Sequence, residues 1–94
     1  MKSYASVERV EGKYLVCEVE LLAVEESKPE NYTTKYYEMM DIPLKSIPFY
    51  IGKIKEGDIL VVEHDCLKVI SVYRKDKEEK ARRLEFFKRI FGDD

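Results

Sequence analysis

Apolar and polar residues alternate with a period of two over much of the chain, the pattern of half-buried strands. Over residues 14–22, Leu15, Cys17, Val19 and Leu21 make one apolar face, while Glu18 and Glu20 lie on the other. A strand over 4–10 precedes it, and Glu11-Gly12-Lys13 between the two predicts a hairpin turn. In that first strand Ala5 and Val7 alternate, but Arg9 then falls on the apolar face and Val10 off it. The phase slip predicts a β-bulge near Arg9, which would help a sheet curl.

Residues 36–43 predict a third strand, with Tyr37, Met39 and Asp41 opposed to Tyr36, Met40 and Ile42. Residues 59–63 and 67–73 predict a second hairpin about His64-Asp65-Cys66. Both faces of Ile59-Leu60-Val61-Val62 are apolar, which places that strand centrally. The pattern fails over 23–35, where Glu25, Glu26, Ser27, Lys28, Pro29, Glu30 and Asn31 are polar and Pro29 has no amide hydrogen for a ladder. A long mobile loop, or the tip of an extended hairpin, is expected there. Pro43 and Pro48 bracket a short connector to the Lys55-Glu56-Gly57-Asp58 turn.

After Asp76 the period changes to 3.6 and predicts a helix over 76–91. Asp76 is its N-cap, with Glu79 placed three residues on for a capping box, and Gly92 stops it. Ala81, Leu84, Phe87 and Phe91 fall on one face, Ile90 at its edge, and Phe86 off it. Glu78–Arg82, Glu79–Arg83 and Glu85–Arg89 stand at i,i+4 in the favourable order. A helix this short is marginal alone in water. The apolar stripe is therefore expected to pack on the molecule's own sheet, leaving Phe86 exposed beside Ile90; a dimer seam is the alternative. The whole is a single domain over 1–94: mainly β with α+β character, a small five-stranded curled sheet or barrel, SH3-like or OB-like, over 4–73, closed by a C-terminal amphipathic helix.

Charge and composition narrow the partners. Seventeen Lys and Arg stand against 19 Asp and Glu, a net charge of −2, without the basic excess of a dedicated nucleic-acid binder. The longest apolar run is far short of the roughly 20 residues that span a bilayer. The start, Met1-Lys2-Ser3-Tyr4, lacks an apolar signal region, so a cytoplasmic protein is expected. Cys17 and Cys66, in no CxxC or CxxH pair, are expected as free thiols.

The segment Val7-Glu8-Arg9-Val10-Glu11-Gly12-Lys13-Tyr14-Leu15-Val16 resembles the opening of the bacterial domain-of-unknown-function 3006 family, a V-D-R-x-E-G-x-x-A-V strand–turn–strand. Asp41-Ile42-Pro43, Ile47-Pro48 and Lys55-Glu56-Gly57-Asp58-Ile59-Leu60 look like its V-P-x-x-x-x-P stretch leading to K-E-G-D-V-L, and the charged helix looks like its tail. The chain departs from the pattern in a longer link after the second strand and a longer fifth strand. The resemblance implies no activity. It implies an accessory role, because some members stand near or fused to metallo-β-lactamase-type hydrolases.

Catalytic chemistry finds little support. His64 is the one histidine, flanked by Glu63, Asp65 and Cys66. Neighbouring strand residues point to opposite faces, so a polar turn is the expected role, ahead of a metal site or an activated thiolate. Gly12, Gly52, Gly57 and Gly92 are scattered and form no phosphate loop. No catalytic, cofactor or metal residue is assigned, and no cofactor is expected. The aromatics are the better lead: Tyr32, Tyr36, Tyr37, Tyr50 and Phe86 form the candidate interaction surface. The expected function is a small non-enzymatic interaction or accessory module of a bacterial cytoplasm, with a protein partner or a second copy of itself. The alternative is a single-stranded nucleic-acid-binding barrel using Lys28, Lys35, Lys45, Lys53 and Lys55 beside the tyrosines. A thiol- or metal-dependent enzyme is the remote third.

Overall fold

A computed structural model describes residues 1–32 and 36–92. Five strands, β1 (Lys2–Glu11), β2 (Tyr14–Glu20), β3 (Tyr37–Pro43), β4 (Ile59–His64) and β5 (Val69–Lys75), form one antiparallel sheet in the order β3-β2-β1-β4-β5. Helix α1 (Lys77–Phe91) follows. Strand β1 is the pivot. Its first half pairs with β4, from Lys2 opposite Glu63 to Ser6 opposite Ile59, and its second half continues along β2 to Glu11 opposite Tyr14. The register shifts between Val7 and Arg9, where the phase slip places the bulge. The sheet coils about this point until β3 and β5 approach each other. No ladder joins them among the described residues, so the curled sheet is open.

Inside the curl lie Ala5, Val7, Leu15, Cys17, Val19, Met40, Ile42, Leu60, Val62 and Val72, with Ile47, Ile51 and Ile54 of the connector packed against them. The predicted faces of β2 and β4 follow this division. Leu60 and Val62 point inward, while Ile59 and Val61 are buried on the outer face with Tyr4 and Val24. That outer patch carries the helix and the segment after β2.

Three expectations are corrected. Residues 23–32 are not a free loop: two 3-10 turns, Val24–Glu26 and Pro29–Asn31, fold them against the outer face. Asn31 Nδ2 donates to the Glu26 carbonyl at 2.7 Å, and Tyr32 is buried. Residues 33–35, including Lys35, lie outside the described part. His64 is not a turn residue. It ends β4 on the inner face with 2% exposure, and the turn is built by Asp65, whose carboxylate accepts from the Leu67 and Lys68 amides, and by Cys66 at φ +70°. Strand β5 accordingly begins at Val69, and Leu67 is exposed.

The third correction concerns α1. Asp76 caps it as expected, accepting from the Glu79 amide at 2.8 Å, and Gly92 ends it in the left-handed region. The capping box is not reciprocal. The Asp76 amide donates to the Ile59 carbonyl, and the Glu79 carboxylate faces the sheet. The apolar stripe does not pack in cis: Leu84 is 56% exposed, Phe87 37% and Phe91 70%, while Phe86 is half-buried. The helix is bound by its polar side.

Candidate functional site

The outer face of β1 and β2 offers Tyr4, Ser6, Glu18 and Glu20, the residues of opposite parity to the core. Glu20, at the end of β2, is buried and accepts from Ser27 Oγ at 2.9 Å. Helix α1 brings Arg83 onto it. The Arg83 guanidinium forms an ion pair with Glu20 and a second with Glu79, whose Oε2 accepts from Nε at 2.7 Å. It is also held between two rings, 5.0 Å from the Tyr4 centroid and 4.8 Å from Tyr32. Tyr32 donates its hydroxyl to Glu79 Oε2 at 2.7 Å, and Tyr37 donates to the Tyr32 carbonyl at 2.8 Å. Arg82 turns to Glu79 rather than to Glu78, at 2.9 Å. Burial, reinforced by the Glu79 carboxylate, pushes the Tyr32 phenol up to about 12, so it remains a donor.

A second attachment lies one turn nearer the start of the helix. Asp58 takes the Lys80 ammonium at 3.1 Å and the Lys55 amide at 2.9 Å. Desolvation would raise the Asp58 carboxyl, but these donors hold it below its ordinary value. Gly57 beside it has φ +90°, with the Lys80 side chain at van der Waals distance from where a Cβ would stand.

These contacts fix the rotation of the helix. Glu79, Arg83 and Phe86 face inward, Leu84 and Phe87 stand along one side of the helix with part of their surface in solvent, and Phe91 is exposed beyond them. Beyond Leu84 the helix overhangs the sheet, and only Phe86 on it is even half-buried. The rings form a chain: Tyr32 to Phe86 at 5.3 Å edge-on, Phe86 to Phe87 at 5.5 Å edge-on, and Phe87 to Phe91 at 5.6 Å stacked. Between helix and sheet a cleft of about 270 Å³ is lined by Tyr32, Tyr37, Ile59, Leu84 and Phe87 together with the charged Glu18, Lys80 and Arg83.

The five expected surface residues are therefore split. Tyr32 and Phe86 are inside the helix attachment, and Tyr37 is half-buried in the cleft wall. Tyr36 and Tyr50 are exposed; Tyr50 donates to the Tyr73 carbonyl at 3.3 Å, beside Phe49. The lysines are dispersed: Lys45 lines a depression with Tyr14, and Lys53 lines another with Phe49. Sequence reasoning missed Glu20, Arg83 and the outward stripe. The Glu79–Arg83 spacing was visible, but the buried carboxylate awaiting it on β2 carried no local mark.

His64 is spent on structure. Its Nδ1 accepts from the Cys66 amide at 3.0 Å, which leaves the proton on Nε2, 2.9 Å from Ser3 Oγ. Burial holds the imidazole below its ordinary value, aided by the Met1 ammonium. Burial also raises the Cys17 thiol to about 12, which keeps it protonated and unreactive. Among the described residues no group of three or more His, Cys, Asp and Glu side chains is placed to hold a metal ion, and no helix is long and apolar enough to cross a membrane. In comparisons with known proteins, no family model matches the chain, and neither a curated protein nor a solved structure does.

Proposed function

We propose that the protein is a non-enzymatic interaction module that binds a protein partner through the outward apolar face of α1. The observation that carries this is the inverted mounting of the helix: Glu79 and Arg83 are buried in ion pairs while Leu84, Phe87 and Phe91 are left exposed to solvent. Burying one such side chain is worth roughly 1.5–3 kcal/mol, so the face offers a partner several kcal/mol. A contiguous apolar patch of this kind marks an interaction site. The accessory role implied by the resemblance of residues 7–16 and 55–60 is compatible with such a module.

Capture from native lysate tests the reading. The wild-type chain should retain a defined protein that a Phe87→Asp/Phe91→Asp variant of unchanged fold does not. Equal retention by both would remove the helix face from consideration. Nucleic acid is the weaker reading. The open groove holding Arg74, Lys75, Lys77 and Arg82 has aromatic walls in Tyr4 and Tyr50. Yet Arg74 is paired with Asp76, Lys75 with Asp58 and Arg82 with Glu79, which leaves little charge for phosphates.

A further inference from the structure

The chemistry of the partner can be read from the charges around the apolar face. At 100° per residue, the half of the helix circumference centred on Phe91 carries Lys77, Lys80, Arg83 and Lys88 together with Leu84 and Phe87. All three helix carboxylates, Glu78, Glu79 and Glu85, fall on the other half. Lys80 and Arg83 are committed to Asp58, Glu20 and Glu79. Among the described residues Lys77 and Lys88 pair with no carboxylate, and both lie on the solvent flank of the stripe, about 11 residues or 16 Å apart. The face is thus an apolar strip edged by two unsatisfied cations.

That arrangement argues against a second copy. In an antiparallel pair centred between Phe87 and Lys88, the two Lys88 side chains share one flank and repel. In a parallel pair, each lysine flank meets the Arg83 side of the other helix, where the sheet already packs. Resting on the reading of α1 as the binding surface, we propose that its occupant is an acidic amphipathic helix of another chain. One large apolar side chain of that segment enters the cleft between Tyr32, Tyr37, Leu84 and Phe87, and carboxylates beside it meet Lys77 and Lys88. Glu18, the one carboxylate lining the cleft, sits on the β2 side, away from the lysine flank. The mode is a helix laid along an apolar strip, with charge setting the choice of partner.

The test uses the full chain and two designed, fluorescently labelled helical peptides. Both carry leucines at i, i+3, i+4 and i+7; one has glutamates on the flanks and the other lysines. Anisotropy at low ionic strength should show the glutamate peptide binding at least tenfold more tightly, with the gap closing as salt is raised. Lys77→Glu/Lys88→Glu should abolish or reverse the preference, and Leu84→Asp should abolish binding of both peptides. All three substitutions are at exposed positions, and circular dichroism confirms the fold. Equal affinities that still depend on Leu84 would overturn the acidic class while leaving the binding face intact. Absence of binding by either peptide, or binding indifferent to Leu84→Asp, would overturn both. A solution dimer dissociated by Phe91→Asp would assign the face to a second copy and refute the proposal.

Discussion

Replacing Arg83 with methionine tests the reasoning at its most exposed point. The substitution keeps the aliphatic stem but removes the guanidinium from between Glu20 and Glu79 and from the faces of Tyr4 and Tyr32. Glu79 retains Arg82 and Tyr32, whereas among the described residues Glu20 retains only the Ser27 hydroxyl. A buried carboxylate stranded in this way costs about 3–5 kcal/mol, and because the Arg83 side chain is itself only 12% exposed, solvent screening offsets little of it. In a domain of this size that is roughly 12 °C or more in melting temperature, a large part of its total stability. Urea unfolding followed by circular dichroism at 222 nm reads the change, and tyrosine fluorescence distinguishes undocking of the helix from unfolding of the sheet.

The double variant Glu20→Leu/Arg83→Met makes the argument discriminating. With the stranded charge removed, most of the loss should return, because a buried pair contributes far less than the penalty for breaking it. Arg83→Lys should fall between, keeping the charge but losing the forked geometry and the ring contacts. A loss below about 1 kcal/mol for Arg83→Met, or a double variant no more stable than the single, would refute the ionic mooring of the helix.

Other consequences are more local. His64 is buried neutral, so the unfolded chain binds a proton that the folded one resists; stability is fully present above about pH 6.5 and declines as pH falls below it. His64→Gln should flatten the melting profile between about pH 6.5 and 5, where Asp58 and Asp76, held below ordinary carboxylate values, have yet to titrate. Asp76→Ala should cost about 1 kcal/mol in urea unfolding through the lost cap. With a thiol reagent under native conditions, exposed Cys66 should be modified promptly and buried Cys17 only on unfolding; equal rates would contradict the placement of Cys17 in the core.

The sheet was legible in the chain because its determinants are local. The alternation in β2, the double-sided burial of β4 and the slip near Arg9 all follow from which residues lie one or two places apart. Helix α1 was legible for the same reason, down to Asp76 and Gly92. Its rotation was not. Leu84, Phe87 and Phe91 are the face that hydrophobic periodicity assigns to the interior, and no local pattern reveals that Glu20, some sixty residues earlier, is buried and requires a cation. The segment before Tyr32 misled for a related reason: polar residues with a proline have the composition of a free loop. Here their backbone closes two 3-10 turns, and the one large ring at their end is drawn under the helix by Phe86 and Arg83.

The magnitudes explain why the helix does not roll over to hide its stripe. A rotation would bring Leu84 and part of Phe87 onto the sheet, but Phe91 and Ile90 lie beyond its edge and would gain nothing. The gain is about 3–5 kcal/mol at most. Against it stand the stranding of Glu20, itself about 3–5 kcal/mol, and the loss of the ring contacts of Arg83 and the edge-on Tyr32–Phe86 pair, about 0.5–1.5 kcal/mol each. The sum favours the observed mounting. It does so through groups that stabilise one orientation by making the others costly, which is how buried ionic contacts act when they select a structure without adding much to its stability. The Glu20–Arg83–Glu79 cluster and the exposed stripe are in that sense one feature: the first holds the second toward solvent. The Glu20→Leu/Arg83→Met variant, stable but no longer charge-selected, should let α1 turn its stripe inward, and Leu84 should then become protected from solvent in amide-exchange and side-chain labelling experiments.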